Sequence, residues 1–214
     1  MIADTPRRPR GRPRKSQVPT SDRILESALD IFSRFGFEGS SLRQIASEAD
    51  VDVSLLSHSF GSKLGLWQAV IDHVAERVVA VILVMEQEKN GDLSEGEYFR
   101  HVMEQLIDLI CDTPLMAKFV VKEVAQHDAR SDYVYERLIK PPYDLLLPLL
   151  KKAREAGDIG DIDPELFFFV FTGSIAMTVA TRSFIIRFSP TAAKDETFRR
   201  ELKRTLFGQL TMIR

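Results

Sequence analysis

The chain is expected to be all-α, and three observations predict it. From Ser21 onward apolar residues recur at helical spacing along nearly the whole length. Sustained apolar–polar alternation, the mark of a half-buried strand, is nearly absent. Helix start and stop signals punctuate the pattern, among them Ser41 with Gln44, and Asp163 followed by Pro164 and Glu165.

Taken in order, the first helix carries Ile24, Leu25, Ala28, Leu29, Phe32 and Phe35, and Gly36 sits where it should stop. "SLRQIASEA" follows, with a capping-box pair at Ser41 and Gln44. Leu42, Ile45, Ala46 and Ala49 lie on one face. "DVDV" breaks that helix. A short third helix over about 53–60 turns Val53, Leu56 and Phe60 inward and Ser54, Leu55, Ser57, His58 and Ser59 outward. Gly61-Ser62 opens a long helix with Leu66, Trp67, Val70, Ile71, Val74, Val78 and Val81 as its stripe. Further helices are expected at about 94–112, 114–127, 130–156, 163–188 and 195–212, with a kink at Pro141-Pro142.

Charge is unevenly placed. "RRPRGRPRK" at 7–15 holds six cationic side chains against Asp4, a net +5 for residues 1–15. The whole chain carries −2, which leaves −7 for the rest. Residues 1–19 contain four of the ten prolines and almost no large apolar side chains, so they form no core and read as a flexible arm. A basic arm on an acidic body suggests a polyanion partner. The composition, 44% hydrophobic and 28% charged, is that of a soluble globular protein. The apolar runs at 78–85 and 166–180 fall short of the ~18–20 residues of a membrane span, and no apolar stretch follows the arginines as in a secretory signal. The lone Cys111 excludes an intrachain disulfide or a thiolate zinc cluster and reads as a small buried hydrophobe. No metal, cofactor or membrane partner is expected.

Two short helices joined by a tight turn after a longer one make a helix-turn-helix. Residues 24–70, "ILESALDIFSRFGFEGSSLRQIASEADVDVSLLSHSFGSKLGLWQAV", resemble the DNA-binding domain of TetR-family transcriptional repressors. "REAGDIGDIDPELF" (154–167) is similar to that family's lead-in to its penultimate helix. The resemblance implies a three-helix DNA-binding head plus a helical effector-binding and dimerisation domain. The divisions are 1–19 for the arm, 20–66 for the head and 67–214 for the body. It also implies a homodimer on a pseudo-palindromic operator in double-stranded DNA, release by a small-molecule effector, and a bacterial cytoplasmic setting with nucleoid association when DNA-bound.

DNA contacts are expected from Ser41, Arg43, Ser54, Leu55, Ser57, His58, Ser59 and Lys63, the last a phosphate contact at the start of the long helix. The chain departs from the family in having Ser57 and Ser59 where aromatic hydroxyls are common, and Val53 where lysine is common. No Lys or Arg lies between Arg43 and Lys63, but Glu48, Asp50 and Asp52 do. The arm compensates. Pro9-Arg10-Gly11-Arg12-Pro13 resembles an AT-hook, in which Arg10 and Arg12 would enter an A·T minor groove; the alternative is a phosphate anchor without sequence preference.

The helix from Asp163 is apolar almost all round and so buried on every side. That fits either the central helix of a monomer or a helix that meets a second subunit; the family resemblance, in which the last two long helices pair across a dimer, implies a dimer interface at Phe169, Phe171, Ile175, Leu202 and Leu206. An effector pocket is expected between the helices from about 94 to 180, with Met103, Leu106, Phe119, Tyr133, Tyr143 and Phe168 as walls and Glu123 or His127 as polar anchors. Two other classes compete with this reading. An enzyme would need a site, but the four histidines are scattered, and H-E-x-x-H, P-loop and G-x-S-x-G motifs are missing. "GDIGDID" lacks the order of a calcium loop and reads as a turn. An AT-hook architectural protein would use its body only to dimerise.

Overall fold

The computed structural model describes residues 20–87, 93–126 and 128–211. All regular structure among them is helical: α1 (Thr20–Phe35), α2 (Leu42–Glu48), α3 (Val53–Phe60), α4 (Lys63–Gln87), α5 (Glu95–Asp112), α6 (Pro114–Val124), α7 (Ser131–Val134), α8 (Lys140–Glu155), α9 (Pro164–Ala180), α10 (Arg182–Ile185) and α11 (Asp195–Thr211). The arm, with Arg10 and Arg12, and His127 lie outside the described residues.

The local signals account for the ends of these helices. Gly36 takes φ +71°, a left-handed conformation, and its N–H bonds the Phe32 carbonyl to close α1. Ser41 Oγ accepts from the Gln44 N–H and donates to Gln44 Oε1, so the pair meets through its side chains. The turn into α3 passes through Asp50 at φ +49°, a region that Asp tolerates better than most residues. Asp52 caps α3 by accepting from the Ser54 N–H, and Ser62 caps α4 by accepting from Gly65. Ser94 and Glu97 form a full capping box on α5. Asp163 Oδ1 accepts from the Glu165 and Leu166 N–H groups, which holds its pKa below the ordinary aspartate value.

Two expected helices are interrupted. The kink near Pro141-Pro142 takes the form of a π-helical turn, Tyr135–Ile139, just before them. The prolines offer no N–H, and their rings crowd the carbonyls one turn back. A wider turn, in which the Lys140 N–H bonds the Tyr135 carbonyl, relieves the crowding. The helix expected to reach 188 stops at Ala180 instead. The Thr181 hydroxyl donates to the Met177 carbonyl, and Arg182 donates to the Ala192 carbonyl and pairs with Asp195 across the turn.

Packing divides into two hydrophobic clusters. One joins α1, α2, α3 and the first half of α4 around Phe32, Leu56 and Trp67. The other joins the end of α4 with α5, α8, α9 and α11. The expected boundary at 66/67 falls inside the continuous α4, and Val78 packs against both clusters. The clusters are further tied by α6. Phe119, fully buried, leans on the Phe32 ring with centroids 6.5 Å apart, and Lys122 Nζ donates to the Arg34 carbonyl. Burial of this kind contributes about 1.5–3 kcal/mol per large side chain, so the head does not hang free. Phe119→Ala should therefore cost about 3–5 kcal/mol, read by urea denaturation, and should loosen the head from the body. A loss below about 1 kcal/mol would show that α6 is not a structural tie.

Candidate nucleic-acid interface and interior cavity

The head presents α3 outward on a fixed base. Leu56 is fully buried, Phe60 is half-buried, and both helix ends are capped. Ser54, Leu55, Ser57, His58 and Ser59 are exposed, as is Arg43 on α2. Ser57 donates to the Val53 carbonyl at 3.3 Å. Val53, expected to face inward, is 38% exposed, because it is the first residue of α3 and reaches past the α2 contact. Ser41 is exposed with its hydroxyl engaged by Gln44.

Lys63 does not reach outward as expected. Its ammonium donates to the carbonyls of Phe37 (2.8 Å) and Ser40 (3.2 Å) and lies over the Phe37 ring, so it ties the α1–α2 loop to α4. A lysine at a helix start reads equally as a phosphate ligand or a loop tie; the carbonyls of the loop decide it here.

An apolar cavity of about 390 Å³, open to solvent on the side of Val124, Phe169 and Met177, lies among α4, α5, α6, α8 and α9. This volume is within the usual range of small-molecule sites. Leu106 and Phe168, both expected walls, line it, together with Val120, Val121 and Met177. Among the described residues no charged side chain lines it, and the one hydroxyl, that of Thr172, donates to the Phe168 carbonyl at 2.6 Å. A more open depression at the α8–α9 turn is polar, but its side chains are engaged in ion pairs, Arg154 with Asp161 and Lys151 with Glu165.

The other expected walls lie elsewhere. Met103 is core. Tyr143 packs on Phe168 and Phe169 without lining the cavity. Phe119, Glu123 and Tyr133 belong to the seam between head and body. There Arg130 lies over the Phe37 and Trp67 rings, and the Tyr133 ring packs tilted against Trp67 while its hydroxyl donates to Asp72. Glu123 is buried, with Arg130 Nη1 at 3.6 Å. Burial pushes its carboxyl above the ordinary glutamate range, and the Arg130 charge only partly offsets this.

The all-round apolar α9 is split between two environments. Phe171 (4% exposed) and Ile175 (0%), expected at the dimer interface, are buried in the protomer's own core and have no surface left for a partner. Leu202 and Leu206 are half-buried against the same core. The exposed side of α9 is Leu166, Phe169, Val170 and Met177, continued by Phe184 and Phe188. Periodicity gives no such split when apolar residues surround the helix. Among the described residues no three His, Cys, Asp or Glu side chains gather as a metal site, and no helix is long and apolar enough to cross a membrane.

Residues 24–70 match the family of bacterial regulatory proteins, tetR family. The HTH-type transcriptional regulator YttP of Bacillus subtilis is 42% identical over 60 residues, 28% of this chain and 29% of that protein. UidR, an HTH-type transcriptional regulator of Escherichia coli, is 27% identical over 148 residues, covering 69% of this chain and 71% of UidR. The transcriptional regulator FadR from Bacillus subtilis, solved in complex with stearoyl-CoA, shares the fold with a TM-score of 0.66 at 18% identity. That match covers 90% of this chain and 98% of FadR.

Glu123 gives a pH test. Its raised pKa means the folded state holds the proton more tightly than the unfolded one. Its contribution to stability is therefore fully present in acid and lost as pH rises through the folded value. Glu123→Gln should remove that loss: the melting temperature of the wild type should fall relative to the variant as pH rises through the range above the ordinary glutamate value. Parallel melting curves across that range would refute the buried carboxylate as a pH-linked group.

Proposed function

We propose, from the TetR-family helix-turn-helix domain that this chain carries at its N-terminus, that the protein is a dimeric DNA-binding transcriptional regulator, a repressor released from its operator by a small apolar molecule. The carrying observation is the three-helix head itself, which holds α3 rigidly with its outer face in solvent. Two such heads would place their α3 helices in successive major grooves ~34–36 Å apart.

The exposed apolar stripe of α9 supports the dimer. Leu166, Phe169, Val170 and Met177 on one helix face suit a self-complementary partner surface, and Phe169 and Met177 also edge the cavity, so the two sites adjoin. The cavity supports the effector. Walls without charge favour an uncharged apolar moiety, since a buried unpaired charge is costly. The fold shared with FadR, whose solved complex holds stearoyl-CoA, is consistent with an alkyl group there. An architectural DNA-binding role would leave the cavity without a purpose.

Footprinting of the purified full-length protein on DNA flanking its own gene should protect a pseudo-palindrome with half-sites one helical turn apart. A light-scattering mass of a monomer, or no protection at micromolar protein, would sink this reading.

The arm supplies the positive charge that α3 lacks, +5 per subunit and so +10 per dimer. Each neutralised phosphate contributes roughly −0.9 to the slope of log K against log salt. Deleting residues 1–15 should flatten that slope by several units while leaving the dimer intact. If Arg10 and Arg12 enter the minor groove, replacing A·T flanks with G·C should erase their advantage over a scrambled arm of equal charge. An unchanged slope would mean the arm does not touch DNA.

A further inference from the structure

We infer that α3 reads thymine through its 5-methyl group, with Leu55 as the specificity-determining residue. The inference rests on the regulator reading above and goes further in naming what the helix recognises.

The composition of α3 excludes the usual readers of the other bases. Its eight residues, Val-Ser-Leu-Leu-Ser-His-Ser-Phe, include no Arg or Lys to clamp guanine, no Asn or Gln to clamp adenine, and no Asp or Glu to accept from cytosine. The nearest cations lie off the helix. Arg43 belongs to α2, and Lys63 is bound to the carbonyls of Phe37 and Ser40.

The outward face offers small hydroxyls, one imidazole and two aliphatic side chains. Val53 and Leu55 are each 38% exposed, and both sit in the first turn of α3. The N-terminal residues of a recognition helix are the ones that reach base edges. In the major groove only thymine carries a methyl group, and aliphatic contact is how a side chain senses it. The presentation is rigid. Leu56 anchors the helix in the core, Asp52 holds the Ser54 N–H at 2.8 Å, and Gly61 closes the far end at φ +72°.

The test uses the full-length protein and duplexes it enriches from random-sequence DNA. Thymines in the enriched half-sites are replaced by deoxyuridine, which pairs identically and lacks only the methyl. Wild type should bind about fourfold more weakly per lost contact and roughly 15-fold when both half-sites are changed, the effect of one and two buried methyl groups. 5-Bromodeoxyuridine, whose bromine fills the methyl's place, should restore binding. Leu55→Ala, checked for folding by circular dichroism, should bind thymine and uracil duplexes alike. Equal wild-type affinity for both duplexes overturns the inference, and so does a Leu55→Ala protein that keeps the full uracil penalty. Enriched sites indifferent to the methyl leave the regulator reading standing, whereas failure to enrich any sequence overturns that reading as well.

Discussion

The seam where α6 lies between head and body is the contact on which the rest of the structure depends. One face of α6 buries Phe119 against Phe32 of α1 and Glu123 near Arg130. Its other face gives Ala117, Val120, Val121 and Val124 to the cavity. A single short helix is thus both a cavity wall and the mount of the head. Packed interiors do not deform continuously, so a molecule that fills the cavity and shifts α6 must also shift α1. For an effector to release DNA in this way, it must bind better to the arrangement in which the heads are wrongly spaced.

The seam also carries a polar cost. Arg130 lies over two aromatic faces and pairs with Asp128, and Glu123 is buried near it. A buried carboxylate near one arginine is weak evidence of stabilisation, because desolvation opposes the attraction. Its effect lies in fixing Arg130 and Tyr133 against the Phe37–Trp67 pair. Lys63 acts from the other side of the same loop through two carbonyls. The α1–α2 loop is therefore held by two cations, and α2 and α3 inherit their positions from it.

The parts of this architecture legible in the sequence are those set by local chemistry. Helix order and most caps follow from Ser41, Asp52, Ser62 and Asp163, and from Gly36. The outward face of α3 was legible because a three-helix head leaves it nowhere else to point, though Val53 departs from the pattern at the helix end. The rest depends on long-range packing. Nothing local tells which side of α9 faces the protomer, so Phe171 and Ile175 fall inside while Phe169 falls outside. Lys63 finds carbonyls 23 and 26 residues away, a pairing no local pattern records. Aromatic and acidic residues on α6 and α7 looked like pocket walls, yet Phe119, Glu123 and Tyr133 serve the seam, because the cavity takes the aliphatic face instead.

Charge and shape are separated in the DNA-binding end. The acids Glu48, Asp50 and Asp52 surround the entry to α3, and hydrogen bonds from Ser54 hold the Asp52 carboxyl below its ordinary range. Such a helix gains little from phosphate attraction and is repelled by the backbone unless another segment supplies cations. The basic arm is the segment proposed to do so, and its Pro-Arg-Gly sequence suits contact with backbone or minor groove rather than major-groove bases. Methyl contacts in the major groove are apolar and nearly independent of salt, while phosphate contacts are strongly salt-dependent. On the proposed reading labour is divided: the arm would set how tightly the protein holds any DNA at a given ionic strength, and α3 would set which sequence it prefers. Affinity can then change with salt over a wide range while the preference between sites stays nearly constant, a behaviour unavailable to a recognition helix that reads its bases with arginine.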